Sequence, residues 1–258
     1  MLNEIKHTGA YKCLKPKKDK YQIICFPYLG GNSHSYWDLA NALDSAFDFW
    51  AAVPPGHFGA SSALLIEDIV PLVEYYLIGL KDIVREGYTL FGHSMGGVIA
   101  CFLANRIAKF ADFPKPKAIV LSASASPGKF HLEKCSEFSD EALINLIASY
   151  GAMPMELLRD MELMHCLLPA FRADYKVLES TANCPCEPLD IPAYFLVGEK
   201  DSVDFLSEIL AWRTYFSGQT QLFFIKNGTH MFIHDKAQIV ADCLKEINTT
   251  NVLEKSLA

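Results

Sequence analysis

The feature that most constrains the fold is an alternation of short apolar runs with longer stretches of helical periodicity. Six apolar runs are strand candidates, at residues 21–27, 47–53, 88–92, 117–124, 193–199 and 219–226. They are continuous rather than alternating, which is typical of strands covered on both faces. Helix candidates lie near residues 35–43, 66–84, 95–110, 203–216 and 236–247. This order predicts right-handed strand–helix–strand units and a mostly parallel central sheet flanked by helices.

One interval interrupts the alternation. Residues 124–191 contain no good strand, and three helix-like pieces stand there instead: "DEALINLIASYG", "MPMELLRDMELM" and "LPAFRADYKVLES". Because loops this long inside a compact domain are usually functional, we predict a helical lid insertion over about residues 126–190. The same helices could be extra packing elements, and the two roles are compatible. The 258 residues are expected to form a single domain over 1–258, with an antiparallel edge strand at 11–14.

Charge and cysteine usage exclude several classes of protein. The net charge of −7 argues against general nucleic-acid binding, which needs a basic field. The first twenty residues lack the apolar core of a signal peptide, and no run approaches the length of a membrane span. We therefore predict a cytoplasmic protein with no membrane partner. Its eight cysteines are expected to be buried thiols, and "CPC" at 184–186 lacks the paired set of a zinc site, so no metal is predicted.

The stretch "TLFGHSMGGVIA", residues 89–100, joins a strand candidate to a helix candidate. Its pattern "GHSMG" fits G-x-S-x-G, the nucleophile elbow, in which a strained turn lifts a serine hydroxyl above the sheet. Glycines at both ends let the two backbones pass closely, and the helix N-terminus directs N–H groups at the reacting centre. Ser94 is therefore the predicted nucleophile. The alternative is a glycine-rich turn with an inert serine.

A serine nucleophile needs a base, and the base needs an orienting acid. In folds with this elbow, the three residues follow the order serine, acid, histidine along the chain. Asp201 comes just after the strand candidate that ends at Gly198, and it is the predicted acid. Glu199 lies too close to the strand end, and Asp204 is expected to begin the next helix. His230 follows the last strand candidate and is the predicted base.

The other histidines are assigned no catalytic role. His234 lies in or near the final helix and is expected to pack or cap, while the remaining six come too early in the chain to be the base. His93 neighbours the serine, but it is expected to be structural and to point into the upper layer of the sheet.

Two backbone N–H donors are needed to stabilise a tetrahedral oxyanion. One should come from the residue after the serine, Met95, and the other from the loop after the first parallel strand. That loop reads "FPYLGGNSHSYW", and Leu29 is the predicted donor, with Tyr28 as the alternative. The two glycines that follow let the backbone approach closely, although an ordinary Gly-Gly turn would look the same.

Six stretches together resemble a type II thioesterase, one of the stand-alone thioesterases that accompany nonribosomal peptide and polyketide synthases. They are "CFPYLGGNSHSYWDLANAL", "VPPGHFGAS", "LFGHSMGGVIA", "LPAFRADYKVLE", "LVGEKDSV" and "GTHMFIHD", spanning about residues 24–235. The resemblance implies an α/β-hydrolase fold with a helical lid over the site. It also assigns Ser94, Asp201 and His230 as the catalytic residues, with Leu29 and Met95 as oxyanion donors.

Two positions depart from the pattern of this family. His57 in "PPGHFG" stands where the family usually carries an arginine, which puts any salt bridge at that position in doubt. Thr229 in "GTHMF" stands where a second glycine is common. Neither residue supplies one of the reacting groups.

The resemblance implies hydrolysis of an acyl thioester carried on the phosphopantetheine arm of an acyl or peptidyl carrier protein. This activity would clear stalled or misprimed acyl groups from a synthase. No cofactor is implied, and we expect a monomer with no nucleic-acid partner. Other interpretations stay open: a medium-chain acyl-carrier or acyl-CoA hydrolase, a general serine esterase, an acyltransferase, and an inactive hydrolase fold that only binds.

Overall fold

The computed structural model describes residues 9–16, 21–57, 64–129, 134–201 and 205–249. In this part of the chain seven strands form one sheet: β1 Tyr11–Lys15, β2 Tyr21–Phe26, β3 Phe47–Ala52, β4 Thr89–His93, β5 Ala118–Ser122, β6 Ala193–Gly198 and β7 Thr220–Ile225. Their order across the sheet is β1-β3-β2-β4-β5-β6-β7. The strands run parallel except β1, which is antiparallel to β3.

The strands of the sheet interior are buried on both faces. Every residue of β3, β4, β5 and β6 is buried, in line with their continuous apolar runs. The last strand, β7, differs because it lies at an edge of the sheet, where Phe224 is 67% exposed. The opposite edge is β1, so the antiparallel edge strand predicted at 11–14 is confirmed.

Helices cover both faces of this sheet. The α-helices of the described residues are α1 Trp37–Ala42, α2 Ile69–Leu80, α3 Met95–Ala108, α4 Asp140–Ser149, α5 Met155–Leu158, α6 Met161–Ser180, α7 Phe205–Trp212, α8 Phe232–Asp235 and α9 Ala237–Thr249. Successive residues of a strand face opposite sides of a sheet. In β2, Ile24 packs in one apolar cluster with α2 and α3, whereas Ile23 packs in another with α1 and α9.

The path of the chain leaves a crevice at one point of the sheet. From β2 the chain passes through α1 to β3 on one side, and then returns through α2 to β4 on the other side of β2. The carboxyl ends of β2 and β4 are therefore neighbours where the direction of travel across the sheet reverses. In open α/β sheets ligands bind at such a switch point.

Between β5 and β6 the described residues form the helices α4, α5 and α6 and no strand. These helices share an apolar cluster of their own, made of Leu143, Ile147, Leu158, Met164, Leu168, Phe171 and Tyr175. The end of α6 joins the sheet core through Val177 and Leu178. The helical character predicted for residues 126–190 is thus present, with residues 130–133 outside the described part, and the role of these helices as a lid stays a prediction.

Several helix boundaries differ from the sequence expectation. The helix predicted at 66–84 is shorter because it begins after Asp68, whose carboxylate caps it by accepting a 2.8 Å hydrogen bond from Val70 N–H. The helix predicted at 203–216 ends as α7 at Trp212 and continues as a 3₁₀ turn, Arg213–Tyr215. The short helix α8 was not predicted, since four residues carry too little periodicity to be seen.

The eight cysteines are free thiols. The prediction of burial is correct for Cys13, Cys25 and Cys101 but wrong for Cys166, which is exposed because its side of α6 faces away from the cluster that its neighbour Met164 joins. Among the described residues, no helix combines the length and the apolar character needed to cross a bilayer.

Candidate active site

The hydroxyl of Ser94 stands at a strained turn between β4 and α3. The Ser94 backbone has φ +53° and ψ −121°, a combination that a residue with a side chain rarely adopts. A Cβ added to Gly92 would lie 2.1 Å from the backbone of Gly96, so only glycine lets the strand and helix cross this closely. The elbow geometry predicted at residues 92–96 is therefore present.

The imidazole of His230 lies between Ser94 and Asp201. Its Nε2 is 3.1 Å from Ser94 Oγ, and its Nδ1 is 3.0 Å from Asp201 Oδ2. Because an ionised carboxylate only accepts, Nδ1 carries the proton, and Nε2 is left to accept the hydroxyl proton of Ser94. The Asp201 side chain is fully buried and that of His230 is 10% exposed. The structure thus brings together the three side chains that the sequence analysis named, from three separate loops.

The loops after β6 and β7 are joined by direct contacts. Asp201 N–H donates to the carbonyl of Gly198 at 3.1 Å, which turns the chain back at the end of β6. The carboxylate of Glu199 accepts a 2.8 Å hydrogen bond from Asn227 N–H. Glu199, an alternative acid in the sequence, therefore binds the turn before the imidazole rather than the imidazole itself. The other alternative, Asp204, lies outside the described residues.

The ring of His93 is bonded to the backbone that carries the imidazole. His93 Nε2 lies 2.9 Å from the carbonyl oxygen of His230, and its Nδ1 lies 2.9 Å from Ser122 Oγ. Since a carbonyl only accepts, Nε2 carries the proton and Nδ1 accepts from the serine. Burial lowers the pKa of His93 well below 6.5, and the proximity of the His230 imidazole lowers it further. This neutral, buried ring agrees with the structural role expected from the sequence.

Two backbone N–H groups near Ser94 are free to bind an anion. Neither Leu29 N–H nor Met95 N–H donates a hydrogen bond within the part of the chain that the structure describes. Met95 is the first residue of α3, where helix N–H groups lack internal partners. Leu29 occupies a turn closed by a 2.8 Å bond from Gly31 N–H to the Tyr28 carbonyl. Tyr28, the alternative donor, thus contributes the carbonyl that closes this turn.

A buried ion pair that the sequence analysis did not assign supports the same turn. Asp174 Oδ2, on α6, accepts a 2.7 Å hydrogen bond from Gly30 N–H and lies 3.0 Å from His57 Nε2. Both ionisable side chains are only 8% exposed. The salt bridge that the departure at His57 put in doubt is therefore present. The one sequence signal for Asp174 was its place in the family-specific stretch "LPAFRADYKVLE".

The pKa of His57 reflects two opposed effects. Burial lowers it, but the charge of Asp174, the hydrogen bond to that carboxylate and the carbonyl of Pro55 raise it by more. The net pKa lies above the ordinary value of 6.5.

The Ser94 hydroxyl opens into a cavity of about 400 Å³, a volume that suits a small ligand. The lining is mostly apolar and comes from the sheet edge and from the inserted helices, including Leu29, Ala125, Cys135, Ile147, Ala152, Phe171 and Leu178. The ring of Tyr150 lies beside the imidazole, with 5.1 Å between the ring centroids of Tyr150 and His230. Lys129 also lines the cavity, and it forms a 3.0 Å ion pair with Glu208.

Other sequence-named residues lie outside the reacting centre. His234 Nε2 is 2.9 Å from the Tyr28 hydroxyl, a packing role like the one expected. Thr229 is exposed, so the absence of the family's glycine leaves no steric conflict there. The described residues contain no cluster of three or more His, Cys, Asp or Glu side chains that could hold a metal ion.

A mostly parallel sheet with this strand order, and a serine elbow at its switch point, has the α/β-hydrolase fold. A family model described as the thioesterase domain matches residues 21–247. The chain belongs to the thioesterase family, and it is a hydrolase that acts on thioesters.

Similar proteins agree with this family. Thioesterase PikA5 of Streptomyces venezuelae is 26% identical over 216 residues, 83% of this chain and 76% of the relative. The human S-acyl fatty acid synthase thioesterase, medium chain, is 26% identical over 239 residues, 90% of this chain and 88% of the relative. The solved structure of the type II thioesterase BorB from the borrelidin biosynthetic cluster has a TM-score of 0.82 and 27% identity, and the match covers 93% of this chain and 98% of that chain. The resemblance to type II thioesterases seen in the sequence is confirmed.

Proposed function

We propose that Ser94 is the nucleophile, His230 the general base and Asp201 the residue that orients the imidazole. The observation that carries this proposal is the linked pair of hydrogen bonds, 3.0 Å from Asp201 to His230 and 3.1 Å from His230 to Ser94. A serine hydroxyl is a weak nucleophile alone, and an adjacent, oriented base activates it.

In the acylation half-reaction, His230 Nε2 takes the Ser94 proton while Oγ bonds to the thioester carbonyl carbon. The carbonyl electron pair moves onto oxygen, and collapse of this tetrahedral intermediate breaks the carbon–sulfur bond. The departing sulfur takes the proton from His230. In deacylation, water gives a proton to His230 and its oxygen adds to the acyl-serine ester. Collapse then releases the free acid, and Ser94 regains its proton.

The oxyanion of each intermediate is proposed to bind the N–H groups of Leu29 and Met95. Support comes from the unpartnered state of both groups within the described residues and from the shared cavity that Leu29 and Ser94 line. One such donor typically contributes about 3–4 kcal/mol of transition-state stabilisation. Thiolates leave more readily than amines, so stabilisation of the oxyanion outweighs assistance to the leaving group.

The substrate class we infer is an acyl or peptidyl group on the phosphopantetheine arm of a carrier protein of a nonribosomal peptide or polyketide synthase. The similarity to BorB, a type II thioesterase from a biosynthetic cluster, supports this class. The mostly apolar cavity suits the acyl part. Removal of stalled or misprimed acyl groups is the proposed task. The cytoplasmic location and monomeric state expected from the sequence remain predictions.

A second candidate is a medium-chain acyl thioester hydrolase of fatty acid synthesis. It is favoured by the match to the human medium-chain enzyme, which extends over 90% of this chain. Both candidates use the same residues and the same chemistry. They differ in the carrier that the enzyme accepts and in the length of the acyl group.

Mass spectrometry of carrier proteins loaded with defined acyl groups tests the proposal. Wild type should unload the carrier, whereas Ser94→Ala should not, and Ser149→Ala, which changes an exposed serine at the end of α4, serves as the matched control. Equal unloading by wild type and Ser94→Ala would overturn the mechanism. Comparison of a synthase carrier, a fatty-acid carrier and the acyl-CoA of the same acyl group separates the two candidates. Fluorophosphonate labelling at Ser94 separates an active enzyme from an inactive binding fold.

A further inference from the structure

The hydrogen bonds of His57 define its protonation state. Nε2 faces the Asp174 carboxylate at 3.0 Å, and Nδ1 faces the Pro55 carbonyl oxygen at 3.1 Å. Both partners only accept hydrogen bonds, so each ring nitrogen must carry a proton to bond with its neighbour. A neutral imidazole has one N–H and satisfies one of them. The geometry therefore fits the imidazolium form of His57.

The partner of this imidazolium holds the turn that carries Leu29. Asp174 Oδ2 also accepts the 2.7 Å hydrogen bond of Gly30 N–H, directly after Leu29. Gly30 has φ +71°, the value that a type II turn requires at its third position and that glycine adopts freely. A Cβ at Gly30 would lie 2.2 Å from the ring of Phe171, which is one helical turn before Asp174 on α6. The turn is thus held by one face of α6.

We propose that His57, as an imidazolium, positions the Leu29 N–H donor through Asp174 and Gly30, and that loss of its proton at alkaline pH loosens this donor. This inference rests on the proposed oxyanion role of Leu29. A neutral His57 would release either the Pro55 carbonyl or the Asp174 carboxylate, and it would leave a buried carboxylate without its counter-charge. The contact between Asp174 on α6 and the turn at Gly30 would then be weaker. His57 and Asp174 touch no reacting atom, so they are positioning residues.

Few other ionisable groups face His57 within the described residues. The small buried pocket that contains His57 and Asp174 is also lined by Tyr28, from the loop after β2, and by Tyr76, from α2. Burial raises the pKa of both phenols, and Asp174 raises that of Tyr76 further, so both stay neutral at alkaline pH. From α3, the pocket is lined by the apolar side chains of Met95 and Ile99. Among these groups the His57 imidazolium is thus the one that loses its charge as pH rises through its pKa, which lies above 6.5.

Kinetics of His57→Arg and His57→Gln test the proposal, with hydrolysis of a butanoyl thioester of N-acetylcysteamine measured from pH 6.5 to pH 9.5. Arginine keeps the positive charge at every pH, whereas glutamine has none. Complete loss of one oxyanion donor costs about 100–1,000-fold in rate, and a donor that is only loosened should cost less, about tenfold. Between pH 6.5 and pH 9.5, kcat/KM of wild type should therefore fall about tenfold relative to kcat/KM of His57→Arg. His57→Gln should be about tenfold slower than wild type at pH 6.5 and should approach it at pH 9.5. The loss should fall on kcat with KM unchanged.

Identical pH profiles for wild type and both variants would overturn the proposal, and so would an effect confined to KM. If a variant fails to fold, ¹⁵N NMR of wild-type imidazoles gives an independent answer. His57 should be doubly protonated at pH 6.5 and should titrate at the pH where kcat/KM falls. A neutral His57 at pH 6.5 would end the proposal. Retained hydrolysis by Ser94→Ala would instead contradict the proposed function. The NMR titration would still test whether His57 is an imidazolium bonded to Asp174.

Discussion

His93 Nε2 lies 2.9 Å from the carbonyl oxygen of His230, so the residue before Ser94 is bonded to the residue whose imidazole faces Ser94. The two residues are 137 positions apart in the chain. This bond joins the end of β4, beside the elbow, to the loop after β7. The separation of Ser94 Oγ from His230 Nε2 depends on both loops.

Replacement of His93 by phenylalanine should lower kcat by about 10–100-fold. It leaves the His230 carbonyl and the Ser122 hydroxyl buried without a partner, which costs about 1–3 kcal/mol for each group. Thioester hydrolysis and a thermal melt check both effects. His165→Phe, at an exposed site on α6, is the matched control and should keep full activity. Full activity in a folded His93→Phe protein would mean that this bond does not hold the imidazole.

Replacement of Asp201 by asparagine should lower kcat by about 10⁴-fold, because the amide stabilises the wrong imidazole tautomer. The stability of the protein should change far less, as the amide has nearly the same shape. Steady-state hydrolysis of an acyl thioester measures the effect. Glu199→Gln changes the neighbouring carboxylate, which binds Asn227 N–H, and it should lower kcat by no more than about threefold, since an amide oxygen still accepts that bond. Equal losses in the two variants would contradict the choice of Asp201 as the acid.

Ala152 lies between α4 and α5 in the chain and lines the cavity at Ser94. A larger side chain at this position should shift the preference of the enzyme toward shorter acyl groups. In Ala152→Phe the aromatic ring takes space that a long chain needs, and each excluded methylene changes specificity by about 10-fold or more. The ratio of kcat/KM for butanoyl and decanoyl thioesters reports this change. Met155→Phe places the same ring at a 51% exposed site on the insertion, and its ratio should match that of wild type. An unchanged ratio in Ala152→Phe would show that the acyl group does not occupy this cavity.

Removal of the charge of Asp174 should destabilise the protein by about 1–3 kcal/mol at pH 6.5, because His57 then loses its counter-ion, gives up its proton and leaves one buried hydrogen-bond partner unsatisfied. Urea unfolding of Asp174→Asn measures this loss. Lys176→Gln breaks the exposed ion pair with Glu67 two residues further along α6, and it should cost no more than about 1 kcal/mol. Similar losses in the free energy of unfolding of the two variants would show that the buried His57–Asp174 pair stabilises the protein no more than the exposed pair does.

The same ion pair gives a pH dependence of defined sign. The pKa of His57 in the folded state lies above 6.5, so its stabilising contribution is complete below pH 6.5 and is lost as pH rises through the folded pKa. His57→Arg keeps its charge, so the free energy of unfolding of wild type should fall relative to that of His57→Arg between pH 6.5 and pH 9. Urea unfolding at several pH values checks this difference, in which other titrating groups cancel. A constant difference would place the folded pKa of His57 at its ordinary value.

The sequence alone determined the order of strands and helices, the elbow and the chain order of Ser94, Asp201 and His230. These are local features, since a continuous apolar run, a glycine-rich turn and a strand end are each visible in a short window. The length of α2 and the exposure of Cys166 were missed, because a cap such as Asp68 and the face that a helix buries depend on what packs nearby.

Only the tertiary structure decided which distant groups meet. The bond from His93 to the His230 backbone and the link from His57 through Asp174 to Gly30 join residues that are 137, 117 and 144 positions apart. No short-range pattern encodes such contacts, because they arise where separate loops converge at the carboxyl edge of one sheet and below the inserted helix α6. The protonation of His57 follows from the same convergence, since two acceptors from different elements surround one ring.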